Sequence, residues 1–262
     1  MTGTLRTFAR RFLPAPIRKP LGSLFGKFQE YVILPLQGLI FDLSGGRFRA
    51  GGCVFVIPKD ITRLAFRSCF LTNAYEIDER HLVQKFILPE DGVLELGACL
   101  GIVSCITNKL LRDRTRHLAV EANPYCVPPL YRNRDLNQCA FSIENCAVSN
   151  EPEVTFFQHP DFIVGGTTKS SSTLPVRVTG RSLRELYDRY GPFSALIMDV
   201  EGSELETLES SAEVLRNFRL VIIEMHDWVI GIEGVARCRK ILQQSGFRMA
   251  ECSYVTEAWL RS

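Results

Sequence analysis

The chain has 262 residues, of which 46% are hydrophobic and 23% charged, with a formal net charge of +2. That is enough to bury one sizeable core without staples, and too mild a charge to point to nucleic acid. Nine cysteines, an odd count with no C-x-x-C pair and several inside apolar runs, read as free thiols of a reducing compartment, so the expected location is cytoplasmic.

In residues 1–30, Arg6, Arg10, Arg11, Arg18, Lys19 and Lys27 sit among Leu5, Phe8, Phe12, Leu13, Leu24, Phe25 and Phe28. Such a stretch packs its apolar stripe on the domain, which is the preferred reading, or lies peripherally on an anionic membrane. The run Tyr31 to Phe41 is broken by Pro35 and Gln37. It starts too late for a signal peptide and is shorter than the ~20 residues of a membrane span. Leu39–Leu43, Ser44-Gly-Gly46 and Arg47–Pro58 read as a hairpin, and residues 60–87 as helical. Residues 1–88 are therefore an N-terminal extension.

From residue 89 to 262 strands and helices alternate. Strands are expected at Val93–Gly97, His117–Glu121, Phe141–Val148, Val154–Phe157, Ala195–Val200 and Leu220–Met225, with closing strands at Phe247–Met249 and Tyr254–Leu260. Helices fall between them at Ile102–Leu111, Tyr125–Asn137 and Ile232–Gln244, and capping boxes at Ser182–Glu185 and Ser203–Glu206 open two more. Residues 158–175, with His159 and Gly165-Gly166-Thr-Thr168, form a polar loop that either covers a substrate or merely connects. Apolar strands alternating with helices predict a Rossmann-like, doubly wound, mostly parallel sheet, with ligands beyond the carboxyl ends of its strands.

Chemistry-bearing residues cluster at those ends. Glu95-Leu-Gly97-Ala98-Cys-Leu-Gly101 has the spacing G-x-x-x-G, without the third glycine that cradles a pyrophosphate. Glu121 ends the next strand, where a carboxylate can accept from both hydroxyls of a ribose. Asp199-Val-Glu201-Gly202 and Glu224-Met-His226-Asp227 end two later strands and place two carboxylates and an imidazole on one rim.

Several segments together resemble the FkbM-type methyltransferases. They are Glu95-Leu-Gly-Ala-x-x-Gly101, Glu121-Ala122-Asn123-Pro124, Asn133 with Asn137, Asn145-Cys-Ala147-Val-Ser149, Met198-Asp-Val-Glu-Gly-Ser-Glu204 and Ile223-Glu-Met-His226. The resemblance runs from about residue 75 to 226, and Tyr75-Glu76 fits the approach segment. It implies a class I methyltransferase fold, S-adenosylmethionine as cofactor, and hydroxyl acceptors on sugars, glycans or related small molecules. By that resemblance Glu95, Gly97, Ala98, Gly101, Glu121, Ala122, Asn123, Ala147 and Asp199 contact the cofactor. The chain departs from the family pattern in having Glu95 for Asp, Cys99-Leu100 for Asn-Ile, and Met198 for Lys.

In-line methyl transfer to an alcohol needs alignment and a base. His226 is the expected base, because an unperturbed imidazole titrates near neutral pH, with Asp199 and Glu201 orienting it or holding the hydroxyl. Asp199, Glu201 and Glu224 are the oxygen ligands Mg2+ would use, but independently solvated carboxylates and no metal are the preferred expectation. No nucleic-acid partner is expected. A nicotinamide-dependent oxidoreductase and a non-catalytic nucleotide-binding module are the alternatives.

Overall fold

The computed structural model describes residues 28–158, 165–166 and 174–261. The basic amphipathic stretch, except its last three positions, and most of the loop 158–175 lie outside the described residues.

A π-helical turn, Gln29–Ile33, runs into α1 (Leu34–Leu43). Pro35 is the second residue of α1, directly after the π-helical turn. This corrects the expected hairpin. Residues 39–43 are helix, and Ser44-Gly-Gly46 is the helix exit. The actual hairpin pairs β1 (Arg47–Ala50) with β2 (Cys53–Val56) around Gly51-Gly52. Next come α2 (Ser68–Leu71) and α3 (Ile77–Phe86).

The alternating part follows with β3 (Val93–Leu96), α4 (Ile102–Leu110), β4 (His117–Val120), α5 (Val127–Leu136) and β5 (Ser142–Glu144). Then come β6 (Ala147–Val148), β7 (Glu153–Gln158), β8 (Gly165–Gly166) and β9 (Leu174–Arg181). The chain closes with α6 (Leu183–Tyr190), β10 (Ala195–Met198), α7 (Glu204–Ser210), α8 (Ala212–Leu215), β11 (Leu220–Glu224), α9 (Asp227–Gln244), β12 (Phe247–Ser253) and β13 (Thr256–Arg261).

Among the described residues the main sheet runs β12-β13-β11-β10-β3-β4-β5. Its strands β5, β4, β3, β10 and β11 are parallel, while β13 is antiparallel to β11 and β12 to β13. Strand order reverses between β3 and β10, the position where doubly wound sheets open a ligand crevice. The expected strand Phe141–Val148 is split. Its second half, β6, leaves the main sheet and pairs with β9 in a smaller sheet of order β6-β9-β7-β8.

Period-2 alternation in the central strands divides the core between two faces. Val93, Ile197 and Ile222 join one apolar cluster, and Leu94, Leu96, Leu196, Met198, Val221 and Ile223 the other. The extension is part of the same body, because Phe41, Phe48, Phe55, Phe66, Phe70 and Leu82 belong to the first cluster. On α1, Leu36, Leu39, Ile40 and Leu43 remain exposed. Among the described residues no helix is long and apolar enough to cross a membrane.

Two asparagines of α5 stitch the hairpin to the α/β unit. Asn133 Oδ1 accepts from Val56 N (2.8 Å), and its Nδ2 donates to the Leu100 carbonyl (2.9 Å). Asn137 Oδ1 accepts from Val54 N (2.9 Å), and its Nδ2 donates to the Val54 carbonyl (2.8 Å). The amides replace a neighbouring strand for alternate residues of β2. Asn133 is fully buried, so Asn133→Ala would leave its backbone partners unsatisfied and cost about 2–4 kcal/mol. Thermal denaturation should fall by roughly 5–15 °C at about 2–4 °C per kcal/mol; a fall under about 2 °C would refute the stitching role.

Candidate active site

The turn after β3 is folded tightly against the tip of β10. Gly97 has φ 90°, and a Cβ placed on it would lie 1.8 Å from the Asp199 carbonyl oxygen. The amides of Gly97 and Ala98 both donate to the Val120 carbonyl, at 2.9 and 3.0 Å. The turn is thus pinned between β4 and β10 before Gly101 opens α4. That helix begins without a side-chain cap, so its first turn keeps the positive end of the peptide dipoles for a negative group.

Glu121 follows β4 and is buried. Its Oε2 accepts from Cys99 N and its Oε1 from Asn123 N, both at 2.6 Å. A carboxylate has about four acceptor sites, so these bonds orient it and leave room for two more donors. Burial pushes its pKa up to about 7; the two amide bonds oppose the rise, and Asp199 and Glu201 add to it. Beside it, Asn123 is buried and its Nδ2 has no hydrogen-bond partner, leaving a donor directed at no protein acceptor. Ala122 packs against a small apolar cluster that contains Ala147, Phe156 and Val178.

Asp199 and Glu201 lead off the tip of β10, with side chains 16% and 22% exposed. Below them lies His226, completely buried at the start of α9, its ring edge-on to Trp228. His226 Nδ1 is 2.6 Å from Glu204 Oε1, which also accepts from Gly202 N (2.9 Å). Nε2 lies 3.2 Å from Glu201, 3.4 Å from Asp199 and 3.7 Å from Glu224. Burial pulls the imidazole pKa down, but Glu201 and Glu204 outweigh it, and the net shift is well above the usual value.

The structure therefore brings Asp199, Glu201 and His226 together, as the strand ends predict, but at different depths. His226 is a poor free base: it has no exposed surface and favours its charged form. Glu95 is corrected more fully. It faces the interior, with Oε1 accepting from Ser104 Oγ (2.8 Å) and Oε2 2.9 Å from His117 Nε2. At 2% exposure, with its carboxylate turned down to Ser104 and His117, Glu95 supports the turn from beneath and does not join the rim.

Glu204 is the functional residue that sequence reasoning passed over. The expected capping box at Ser203–Glu206 does not form; Ser203 makes no side-chain cap, and the Glu204 carboxylate bonds the Gly202 amide and His226 instead. The box at Ser182–Glu185 does form. Glu204 stood in the Asp199-to-Glu204 motif, and its place at a helix start was the available signal.

The family model of the methyltransferase FkbM domain matches residues 95–249, more than half of the chain. No curated protein matches it. Similar solved structures include a fibrillarin pre-rRNA processing protein of Methanococcus jannaschii (13% identity, 67% of this chain and 68% of that one, TM-score 0.46). Others are a precorrin-6y C5,15-methyltransferase of Geobacter metallireducens (12%, 70% and 87%, 0.45) and a ribosomal protein L11 methylase of Lactobacillus delbrueckii (12%, 72% and 80%, 0.47).

Proposed function

We propose, for a chain that belongs to the methyltransferase FkbM domain family and so transfers methyl groups, that the donor is S-adenosylmethionine and the acceptor a hydroxyl on a sugar, a glycan or a related small molecule. The observation that carries this is the close approach of Gly97 to Asp199, which sets the glycine turn and the rim carboxylates side by side. A donor lying on the turn has its reactive end next to groups suited to a hydroxyl.

The residues present fit that donor. Glu121 has acceptor capacity for a ribose diol, Asn123 offers an unsatisfied amide donor, and the start of α4 favours the carboxylate of an amino-acid head. When bound, S-adenosylmethionine supplies a methyl group on a cationic sulfur, open to in-line attack. Of Asp199 and Glu201, one would orient the acceptor hydroxyl and the other take its single proton as the O–C bond forms and the methyl–sulfur bond breaks, leaving S-adenosylhomocysteine. His226 is a positioning residue: held by Glu204 on one nitrogen, it fixes Asp199 and Glu201 from below. Alignment of this kind is worth roughly 7–11 kcal/mol in favourable cases.

Tritium supplied as methyl-labelled S-adenosylmethionine should pass to polyhydroxylated acceptors as a product stable to mild base, as an ether is. Labelling of amine acceptors alone would overturn the hydroxyl assignment.

Glu121→Gln should weaken S-adenosylhomocysteine binding about 10- to 100-fold, the worth of hydrogen bonds to a charged acceptor. The sign of the pH dependence follows from the raised pKa. Below pH 7 the carboxyl is mostly protonated and loses acceptor strength, so wild-type affinity should rise as pH increases through about 7 and then level off. Calorimetry from pH 5.5 to 8.5 should show that rise in the wild type and none in Glu121→Gln; equal slopes would refute the ribose role.

A further inference from the structure

We propose that the rim binds a divalent first-row transition-metal cation through Asp199, Glu224 and His226. One ligand atom from each lies within 4.8 Å of the others. Atoms bonded to one such cation at about 2.1 Å stand about 3.0–3.4 Å apart in octahedral or tetrahedral geometry. The observed separations from His226 Nε2, 3.4 Å to Asp199 Oδ1 and 3.7 Å to Glu224 Oε1, need only a small closure to reach that range.

The imidazole supplies a second, independent observation. His226 is completely buried, and its Nε2 faces carboxylate oxygens on three sides, those of Glu201, Asp199 and Glu224 at 3.2, 3.4 and 3.7 Å. Its other nitrogen, Nδ1, is anchored at 2.6 Å on Glu204, itself fully buried and fixed by the Gly202 amide. A histidine that donates from one nitrogen to a buried carboxylate, and turns the other toward acidic oxygens, has the arrangement by which proteins orient a metal-ligating imidazole.

The donor set decides the class of ion. Two carboxylates and one imidazole suit Mn2+, Fe2+, Co2+ or Zn2+, whereas Mg2+ and Ca2+ prefer oxygen alone. This departs from the expectation of independently solvated carboxylates. It rests on the methyl-transfer reading only for the ion's role: drawing electron density from the acceptor hydroxyl, so that its proton passes to Glu201 as the O–C bond forms and the C–S bond breaks, releasing S-adenosylhomocysteine.

The test is titration of the full chain with Mn2+ at pH 7.5, followed by electron paramagnetic resonance, with S-adenosylhomocysteine binding measured on the same samples. One Mn2+ should bind per chain, with a nitrogen coupling from the imidazole, and millimolar Mg2+ should not displace it. Glu224→Gln should weaken uptake at least tenfold and His226→Ala should abolish the nitrogen coupling. Glu206→Gln, an exposed carboxylate nearby, should change neither. If His226→Ala fails to fold, Glu224→Gln and the wild-type coupling decide the matter. No saturable uptake by a chain that still binds S-adenosylhomocysteine would overturn the ion site and leave the methyltransferase reading standing. Saturable uptake without nitrogen coupling, or equal loss in Glu206→Gln, would also overturn it.

Discussion

Asp199→Asn is expected to lower methyl transfer by about 10²–10⁴-fold, the usual worth of a positioned proton acceptor, while S-adenosylhomocysteine binds nearly as well as before. The substitution preserves volume and removes only the charge and one acceptor oxygen. Asp199 lies at the tip of β10, its amide bonded to the Leu96 carbonyl at 2.9 Å, so the backbone that shapes the glycine turn is untouched. What changes is the group facing the hydroxyl, together with the 3.4 Å approach to His226. Single-turnover rates alongside calorimetry separate the two quantities. Turnover within about twofold of wild type would remove Asp199 from the chemistry, and a matching loss of affinity would make it a binding residue instead.

Gly97→Ala is expected to cost about 2–5 kcal/mol of folding stability and to remove donor binding. The new methyl group would stand 1.8 Å from the Asp199 carbonyl oxygen and 2.8 Å from its carbon, both backbone atoms. No side chain can move aside; β10 would have to separate from β3, with which it pairs through Ala195–Met198. Overpacking of this kind costs about 1–3 kcal/mol, and the left-handed φ adds roughly 1–2 kcal/mol. That is a large share of an ordinary folding free energy. Gly45→Ala is the control: its φ is 101°, but nothing lies within 4 Å of the added carbon, so it carries the conformational cost without the clash. Denaturant unfolding should place Gly97→Ala well below Gly45→Ala. Equal losses would mean that the contact with Asp199 is not what the glycine protects.

The parts of the fold readable from sequence are those where burial on both faces leaves little choice. Val93–Leu96, Ala195–Met198 and Leu220–Glu224 are apolar or fully enclosed throughout, and each ends in or near the acidic residue that marks the carboxyl edge of the sheet. Residues 39–43 misled because one face of α1 is exposed, so an apolar run followed by glycines imitates a strand and turn. β9 escaped notice because it follows a Gly-, Ser- and Thr-rich stretch and is held by β7 and β6 rather than by its own pattern.

The site was legible in its residue types and not in their depth. Glu95 and Glu121 both stand at strand ends with acidic side chains. Alternation along β3 turns Glu95 inward to His117 and Ser104, while the backbone after β4 holds Glu121 between two amides. Glu204 stood at the end of the family motif without a role of its own, because its partner, His226, is 22 residues away in sequence. The glycine spacing argued only weakly between a nucleoside and a dinucleotide; the family match over residues 95–249 supplies what the turn could not.

A crystal structure with S-adenosylhomocysteine bears most directly on the central claim. It should place the ribose hydroxyls within hydrogen-bonding distance of Glu121 and direct the sulfur toward Asp199 across the Gly97 turn. A nucleoside bound elsewhere, or one seated in the crevice with Glu121 making no contact, would contradict it.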